Sequence, residues 1–354
     1  IRPQSAVTPR CPLTNRPPDR LLFSSPDTRF GEPVLTRFYY CEGSDTVVAS
    51  PELSREELME LYQRHYSRPR TEPRPPAPGL FSPYQRWRGG ARWRAIDAKV
   101  ADRLRLPPKA ANWVNRHQLK DWAEVSLDEL FANLRGLADP RDAGVRFLEV
   151  GCFNGDLLDR IRERTRWTTA GVEPNPEAAE EARRRGHAVH TALAEECWRI
   201  VPEGERYDVV FLGQVIEHIE RPYDFARRIR HLMPDGGLLV LSTPNLDSRQ
   251  IDLFGPTWSH WHPPYHRVLF GRRGLRLLGE RSGFRLARMR SYSNSNWTLL
   301  SRKLNEFGLG GSVPHDWSPP PEELARARSL AAWSKLLWDW RGLGDYSFAV
   351  FRAE

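Results

Sequence analysis

The sequence predicts an α/β fold, in which an open and largely parallel sheet carries helices on both faces. Strand-like apolar runs alternate with helical segments between Val145 and Ser242, and this alternation is typical of parallel sheets. The first apolar run ends in a glycine turn, and a helix is predicted directly after it. In such sheets ligands bind at the carboxyl ends of the strands, so we expect the binding site at that edge.

The predicted core elements follow one another along the chain. Strands are predicted at 145–150, 168–173, 187–191, 207–213 and 238–242, and helices at 155–165, 176–186 and 222–233. A later helix at 271–283 ends at a glycine, and two final strands are predicted at 284–292 and 345–352. Ser126 and Glu129 have the spacing of a capping box, which predicts that another helix begins there, ahead of the first strand.

The glycine turn reads Glu149-Val-Gly-Cys-Phe-Asn-Gly155, and an acid, Glu173, follows Gly151 by 22 residues. An acid at about this distance is well placed for the two hydroxyls of a ribose. Phe153 occupies the second glycine position of the dinucleotide fingerprint, where a side chain would obstruct a pyrophosphate. No phosphate-binding P-loop motif is present. The pattern therefore predicts a nucleoside ligand and not a dinucleotide.

Residues 147–243 resemble class I S-adenosylmethionine-dependent methyltransferases. Four segments carry the resemblance, namely the glycine loop at 149–155, the acid at 173, the fourth-strand motif at 207–219 and the turn and fifth strand at 232–245. Phe153 departs from the family pattern, which usually has glycine there. The resemblance implies methyltransferase activity with S-adenosylmethionine as cofactor. It also implies a Rossmann-like seven-stranded sheet whose last two strands pair as a hairpin, with the final strand antiparallel.

The resemblance assigns the cofactor site to the glycine loop and to the strand ends beside it. Glu149, Gly151 and Gly155 would shape the methionine and ribose pocket, Glu173 would hold the ribose hydroxyls, and Gln214 would lie beside the cofactor. The expected cofactor-binding residues are Glu149, Gly151, Cys152, Asn154, Gly155, Glu173 and Gln214. The alternative for the two acids is a helix cap or a surface position.

Histidines supply the candidate bases, because an imidazole of near-neutral pKa suits proton transfer. His218 follows the fourth strand, and the segment 258–266 follows the fifth strand with a dense set of histidines and aromatic rings. We expect His218, His262 and His266 to be catalytic; the alternative is that they cap a helix or orient loops. His260, His262 and His266 could also bind a metal, but the loop spacing and the lack of a carboxylate partner predict no metal site.

The chain is expected to have three parts. Residues 1–66 resemble a small zinc ribbon, but Thr14 and Ser44 stand where the second cysteine of each pair would be, so we expect a degenerate ribbon without metal. Residues 67–118 read as a proline-rich linker and a helical lid rich in tryptophan and arginine. Residues 119–354 form the predicted S-adenosylmethionine-binding domain. The tryptophan-rich segment 293–340 could be a lid, a homodimer contact or both.

The composition and net charge of the chain limit the classes of partner that we expect it to bind. The net charge is +8, but only five of the 53 basic residues are lysines and the arginines are spread along the chain, which favours solvated helix faces over nucleic-acid binding. No apolar run reaches the length of a membrane span, so no membrane contact is expected. Four scattered cysteines favour a reducing cytoplasm.

The predicted function is therefore S-adenosylmethionine-dependent methylation of a small-molecule acceptor, with O-methylation of a sugar or natural-product hydroxyl in secondary metabolism as the specific expectation. Two alternatives remain open. One is a methyltransferase-fold protein that binds or scaffolds without activity. The other is RNA methylation, although Gly213-Gln-Val-Ile216 stands where base-methylating enzymes carry Asn/Asp-Pro-Pro-Tyr.

Overall fold

A computed structural model describes residues 9–64, 122–308 and 333–354, together with 323 and 331, with gaps at 28, 33, 52, 55, 58, 59, 62, 63 and 203. The predicted linker and lid at 67–118 lie outside these residues. Among the helices within them, none combines the length and the apolar character that crossing a membrane requires.

The strands and helices are numbered in chain order. The strands are β1 (Arg20–Ser25), β2 (Thr36–Cys41), β3 (Thr46–Ser50), β4 (Arg146–Val150), β5 (Thr168–Glu173), β6 (Ala188–Thr191), β7 (Val209–Gly213), β8 (Leu238–Pro244), β9 (Val268–Phe270), β10 (Phe284–Tyr292) and β11 (Tyr346–Ala353). The α-helices are α1 (Trp122–Leu134), α2 (Asp156–Arg164), α3 (Pro176–Arg184), α4 (Cys197–Ile200), α5 (Pro222–His231), α6 (Arg249–Phe254), α7 (Arg272–Arg281) and α8 (Ser295–Phe307).

The main sheet has seven strands in the order β10-β11-β8-β7-β4-β5-β6. The strands from β4 to β8 run parallel, whereas β11 is antiparallel to both β8 and β10. This arrangement confirms the predicted fold class and the terminal hairpin. The predicted core elements differ from the observed bounds by at most two residues. β8 is longer than expected because Thr243 and Pro244 continue the pairing with β11.

Two separate cores cover the two faces of this sheet. On one face, α1, α2 and α3 pack against the strands through residues such as Leu130, Leu158 and Ala182. On the other face, α5 and α7 do so through residues such as Ile229 and Leu278. Because both faces are covered, the central parallel strands β4, β5, β7 and β8 are buried at nearly every position and not at alternate positions.

The predicted helix start at Ser126 is wrong, since α1 already begins at Trp122. Ser126 and Glu129 lie inside the helix and are buried. The Glu129 carboxylate accepts a hydrogen bond of 2.6 Å from the Tyr346 hydroxyl in β11. The capping-box pattern therefore reflects a buried contact between α1 and the sheet.

A second sheet has the order β1-β2-β3-β9, with each neighbouring pair antiparallel. Its last strand comes from the far part of the chain, so the amino-terminal segment packs directly on the predicted methyltransferase domain.

The positions that resemble zinc ligands lie close together in this segment. Cys11 Sγ lies 3.0 Å from the Ser44 hydroxyl. A hydrogen bond between the Cys11 and Cys41 thiols lowers the pKa of Cys11 and raises that of Cys41. The ribbon-like positions thus meet in space; the absence of a metal there and the boundaries of the three parts stay predictions.

Candidate functional site

The predicted cofactor loop leaves the carboxyl end of β4 and leads into α2. Gly151 and Gly155 both have a left-handed backbone, with φ of +81° and +83°, a conformation that glycine adopts at little cost. A Cβ at Gly151 would lie 2.6 Å from Cγ2 of Val215, and one at Gly155 would lie 2.9 Å from Cδ2 of His187. The loop backbone therefore has no room for side chains here, and it lies against the segment that follows β7.

Phe153 is also left-handed, with φ of +47°. This conformation costs a residue with a side chain roughly 1–2 kcal/mol, which explains why glycine suits the position. The N–H of Phe153 donates to Oε2 of Glu173 at 2.8 Å, while the residue stays 38% exposed. The residue connects the loop to the end of β5 and holds an aromatic ring at the surface beside it.

Glu149 and Glu173 lie at the carboxyl ends of β4 and β5, and both are buried. Oε2 of Glu149 has no hydrogen-bond partner among the described residues, and burial together with the charge of Glu173 raises the pKa of Glu149 to about 8. The oxygens of Glu173 accept N–H groups from Phe153 and Asn175, each at 2.8 Å. Because an unpartnered buried oxygen is unfavourable, the two carboxyls suit a ligand that brings positive charge and hydroxyl donors.

The remaining predicted cofactor residues are Cys152, Asn154 and Gln214, and they offer different groups to a ligand. The Cys152 side chain is buried in the core beneath the loop, where its Sγ would lie 2.4 Å from a Cβ at Gly171. Only the backbone of Cys152 can face a ligand. Asn154 caps the next turn weakly, with its Oδ1 accepting the Asp156 N–H at 3.4 Å. Gln214 follows β7 with a left-handed φ of +58°, and its N–H donates to Ser242 of β8 at 2.7 Å.

The structure brings the three predicted catalytic histidines together. The ring centroids of His218 and His266 are 4.7 Å apart, and those of His262 and His266 are 4.9 Å apart. Burial lowers the pKa of His218 to about 4 and the pKa of both His262 and His266 well below the ordinary value. All three rings are therefore neutral at pH 7. His218 follows Gln214 in the connection after β7, whereas His262 and His266 lie between β8 and β9, so the cluster forms at the sheet edge where the site was expected.

Two of these histidines also orient loops, as the alternative interpretation held. Nδ1 of His218 lies 3.0 Å from the Tyr265 carbonyl oxygen, and Nδ1 of His266 lies 2.7 Å from the His260 carbonyl oxygen. A carbonyl can only accept, so in each neutral ring Nδ1 carries the proton and Nε2 carries the lone pair. Loop orientation and a chemical role for Nε2 are therefore compatible.

Glu217 joins the cluster and was missed by the sequence reasoning. Its carboxyl is fully buried, its Oε2 accepts the Thr243 hydroxyl at 2.9 Å, and its Oε1 lies 4.0 Å from Nε2 of His266. Burial raises its pKa to about 8. The expectation that these histidines lack a carboxylate partner is thus wrong. The available signal was its position directly before His218.

The amino-terminal segment and α8 form walls of the histidine cluster. Nη1 of Arg29 lies 3.3 Å from Nε2 of His262, and the Phe30 ring contacts Tyr265 edge-on with centroids 5.6 Å apart. From α8, the Trp297 ring lies 4.8 Å from the ring of His260. No sequence pattern marked Arg29 or Phe30, because their placement depends on how the two sheets pack.

Comparison with known proteins gives a consistent result. A family model described as "Methyltransferase domain" matches residues 110–288, which is half of the chain. A protein named ubiquinone biosynthesis O-methyltransferase from Cereibacter sphaeroides is 29% identical over 181 residues, which cover 46% of this chain and 72% of that protein. A protein of the same name from Roseobacter denitrificans is 35% identical over 118 residues, covering 31% of this chain and 46% of that protein.

A crystal structure of a SAM-dependent methyltransferase from Archaeoglobus fulgidus overlaps 64% of this chain and 94% of that one, with a TM-score of 0.42 and 18% identity.

Proposed function

The chain belongs to the methyltransferase family that its residues 110–288 match, with S-adenosylmethionine as its cofactor, and we propose that it methylates a hydroxyl oxygen of a small-molecule acceptor. The similarity to proteins named as O-methyltransferases supports oxygen as the methylated atom. The specific expectation from the sequence, a sugar or natural-product hydroxyl, is kept as part of this proposal.

The residues present fit the cofactor. S-adenosylmethionine carries a positive sulfonium, an amino group and two ribose hydroxyls, and it supplies a reactive methyl group when bound. Glu149 offers an unpartnered buried oxygen, and the Glu173 carboxylate has remaining lone pairs beyond the two N–H groups that it accepts. Burial raises the pKa of Glu173 as it does that of Glu149. A positive ligand would lower the pKa of both acids, because it stabilises their charged forms.

One observation carries the proposed chemistry: neutral histidines, with lone pairs at Nε2, gather at the same sheet edge as the cofactor residues. In methyl transfer the acceptor oxygen forms a bond to the methyl carbon as the carbon–sulfur bond breaks, and the hydroxyl proton must leave. The proposal assigns that proton to the histidine cluster, in which the His262 and His266 rings are buried.

The test is an acceptor screen with the full chain and S-adenosylmethionine, in which hydroxylated small molecules are followed by mass spectrometry. We expect at least one acceptor to gain the mass of one CH₂ group while S-adenosylhomocysteine accumulates in equal amount. His190→Gln is a matched control, because this histidine lies on β6 outside the cluster. Transfer to nitrogen or carbon acceptors alone would contradict O-methylation, and cofactor binding without transfer to any acceptor would favour the scaffold alternative.

A further inference from the structure

We propose that Glu217, His218 and His266 form a binding site for one divalent transition-metal ion. Each residue offers one ligand atom, and these atoms all lie within 4.8 Å of one another. Oε1 of Glu217 and Nε2 of His266 are 4.0 Å apart. Two ligand atoms on a tetrahedral ion are about 3.4 Å apart for metal–ligand distances near 2.1 Å. The distances between ligand atoms therefore need to shorten by between about 0.6 Å and about 1.4 Å, which small side-chain rotations can supply.

The histidines are already held in the form that a metal requires. His266 donates its Nδ1 proton to the His260 carbonyl at 2.7 Å, and His218 donates its Nδ1 proton to the Tyr265 carbonyl at 3.0 Å. These hydrogen bonds fix the tautomer that leaves the lone pair on Nε2. The same contact, from the second ring nitrogen to a carbonyl or carboxylate, accompanies almost all metal-bound histidines in proteins.

The carboxylate is held in the same manner. The Thr243 hydroxyl donates to Oε2 of Glu217 at 2.9 Å and thereby fixes its orientation. Oε1 is buried and has no hydrogen-bond partner among the described residues, an arrangement that is costly unless the oxygen gains a partner. A cation between Oε1 and the two Nε2 atoms would satisfy it. The Arg29 guanidinium, 3.3 Å from His262, opposes a cation here, so the negative charge of Glu217 is essential to the site.

The donor set indicates the class of ion. Two imidazole nitrogens and one carboxylate oxygen suit zinc or iron(II), whereas magnesium prefers oxygen ligands alone. Three protein ligands leave a coordination position for an acceptor oxygen, and a bound cation would lower the pKa of that hydroxyl. This role rests on the proposed function. It leaves His262, which is outside the ligand set, to take the proton at Nε2, and Nη1 of Arg29, which lies 3.3 Å from that atom, must move away first.

Metal binding can be measured without any acceptor. The metal-free full-length chain is titrated with cobalt(II), whose visible absorption reports coordination, and zinc, iron(II) and magnesium then compete for the site. We expect one cobalt per chain, displacement by zinc or iron(II), and no displacement by magnesium. Glu217→Gln and His266→Ala should weaken cobalt binding by at least about tenfold, whereas His262→Ala and the control His190→Gln should bind as the wild type does.

The affinity of each variant for S-adenosylmethionine shows whether it is folded. A wild-type chain that takes up no stoichiometric cobalt would overturn the metal site, and so would folded Glu217→Gln and His266→Ala variants that bind cobalt with wild-type affinity. Loss of cobalt binding in His262→Ala would overturn the assignment of ligands. If cobalt binds as expected but no acceptor is ever methylated, the proposed function fails and the metal site stands. Methyl transfer that persists at full rate after chelation would overturn the catalytic role of the ion.

Discussion

Replacing Phe153 with glycine should leave the free protein more stable than replacing it with alanine does, and either replacement should weaken its binding of the cofactor. The residue holds a φ of +47°, which costs roughly 1–2 kcal/mol for a residue with a side chain. Glycine relieves this strain but loses about 0.5–1 kcal/mol of backbone entropy on folding. The net expectation is a free energy of unfolding about 0.5–1 kcal/mol higher for Phe153→Gly than for Phe153→Ala, because both variants lose the buried part of the ring.

The loss of affinity follows from the exposed ring. A phenylalanine side chain has about 200 Å² of surface, and 38% of the Phe153 residue is exposed beside the cofactor loop. If the cofactor covers that area, about 75 Å² of apolar surface is buried at about 25 cal/mol per Å², or about 2 kcal/mol. This corresponds to a dissociation constant raised roughly 25-fold.

Urea unfolding measures the stability and isothermal titration calorimetry the affinity for S-adenosylmethionine. Phe153→Ala is the matched control, because it removes the ring but keeps a residue with a Cβ at this left-handed backbone position. It should lose affinity to a similar degree and be the less stable of the two variants. Phe153→Gly that binds the cofactor as tightly as the wild type would refute the idea that this ring covers the ligand.

Three further perturbations test other parts of the account. Gly151→Ala should cost more unfolding free energy than Gly136→Ala, because both glycines have φ near +80° but only the first would bring a Cβ against Val215, at 2.6 Å; equal losses in urea unfolding would contradict the close approach. Burial raises the pKa of Glu129 to about 7 from 4.5, so its favourable contribution is present below pH 4.5 and is lost as the pH rises through 7. Between pH 5 and 8 the wild type should therefore lose up to about 3 kcal/mol more stability than Glu129→Gln, and parallel pH profiles would argue against this shift. His266→Ala should lower the turnover of an identified acceptor while the calorimetric affinity for the cofactor stays within about twofold; unchanged turnover would remove this histidine from the reaction.

The fold was predictable because its signals are local. Strands β4, β7 and β8 are short, mostly apolar runs bounded by glycine, proline and acidic residues, and burial on both faces keeps these runs continuous. The error at Ser126 has the same origin. In the sequence, Ser126 followed three residues later by Glu129 looks like a helix cap. Only the tertiary contact of Glu129 with Tyr346 shows that Glu129 is buried against the sheet.

The candidate site was predictable only in part. The cofactor loop and Glu173 are local features, since a glycine turn and a strand-ending acid are visible in a single segment. The partnership of Glu217 with His266 is not local, because it depends on the loop after β7 meeting the loop before β9. Arg29 reaches His262 only because β9 completes the amino-terminal sheet. Contacts of this kind follow from sheet order and not from spacing along the chain.

Calorimetric titration of the wild type and of Glu173→Ala with S-adenosylmethionine and S-adenosylhomocysteine tests the central claim most directly. We expect one molecule of either compound to bind per wild-type chain, and no measurable binding to a folded Glu173→Ala variant, because the carboxylate that holds the loop, and that we propose holds the ribose, is gone. Wild-type affinity in Glu173→Ala, or a wild-type chain that binds neither compound, would contradict the account.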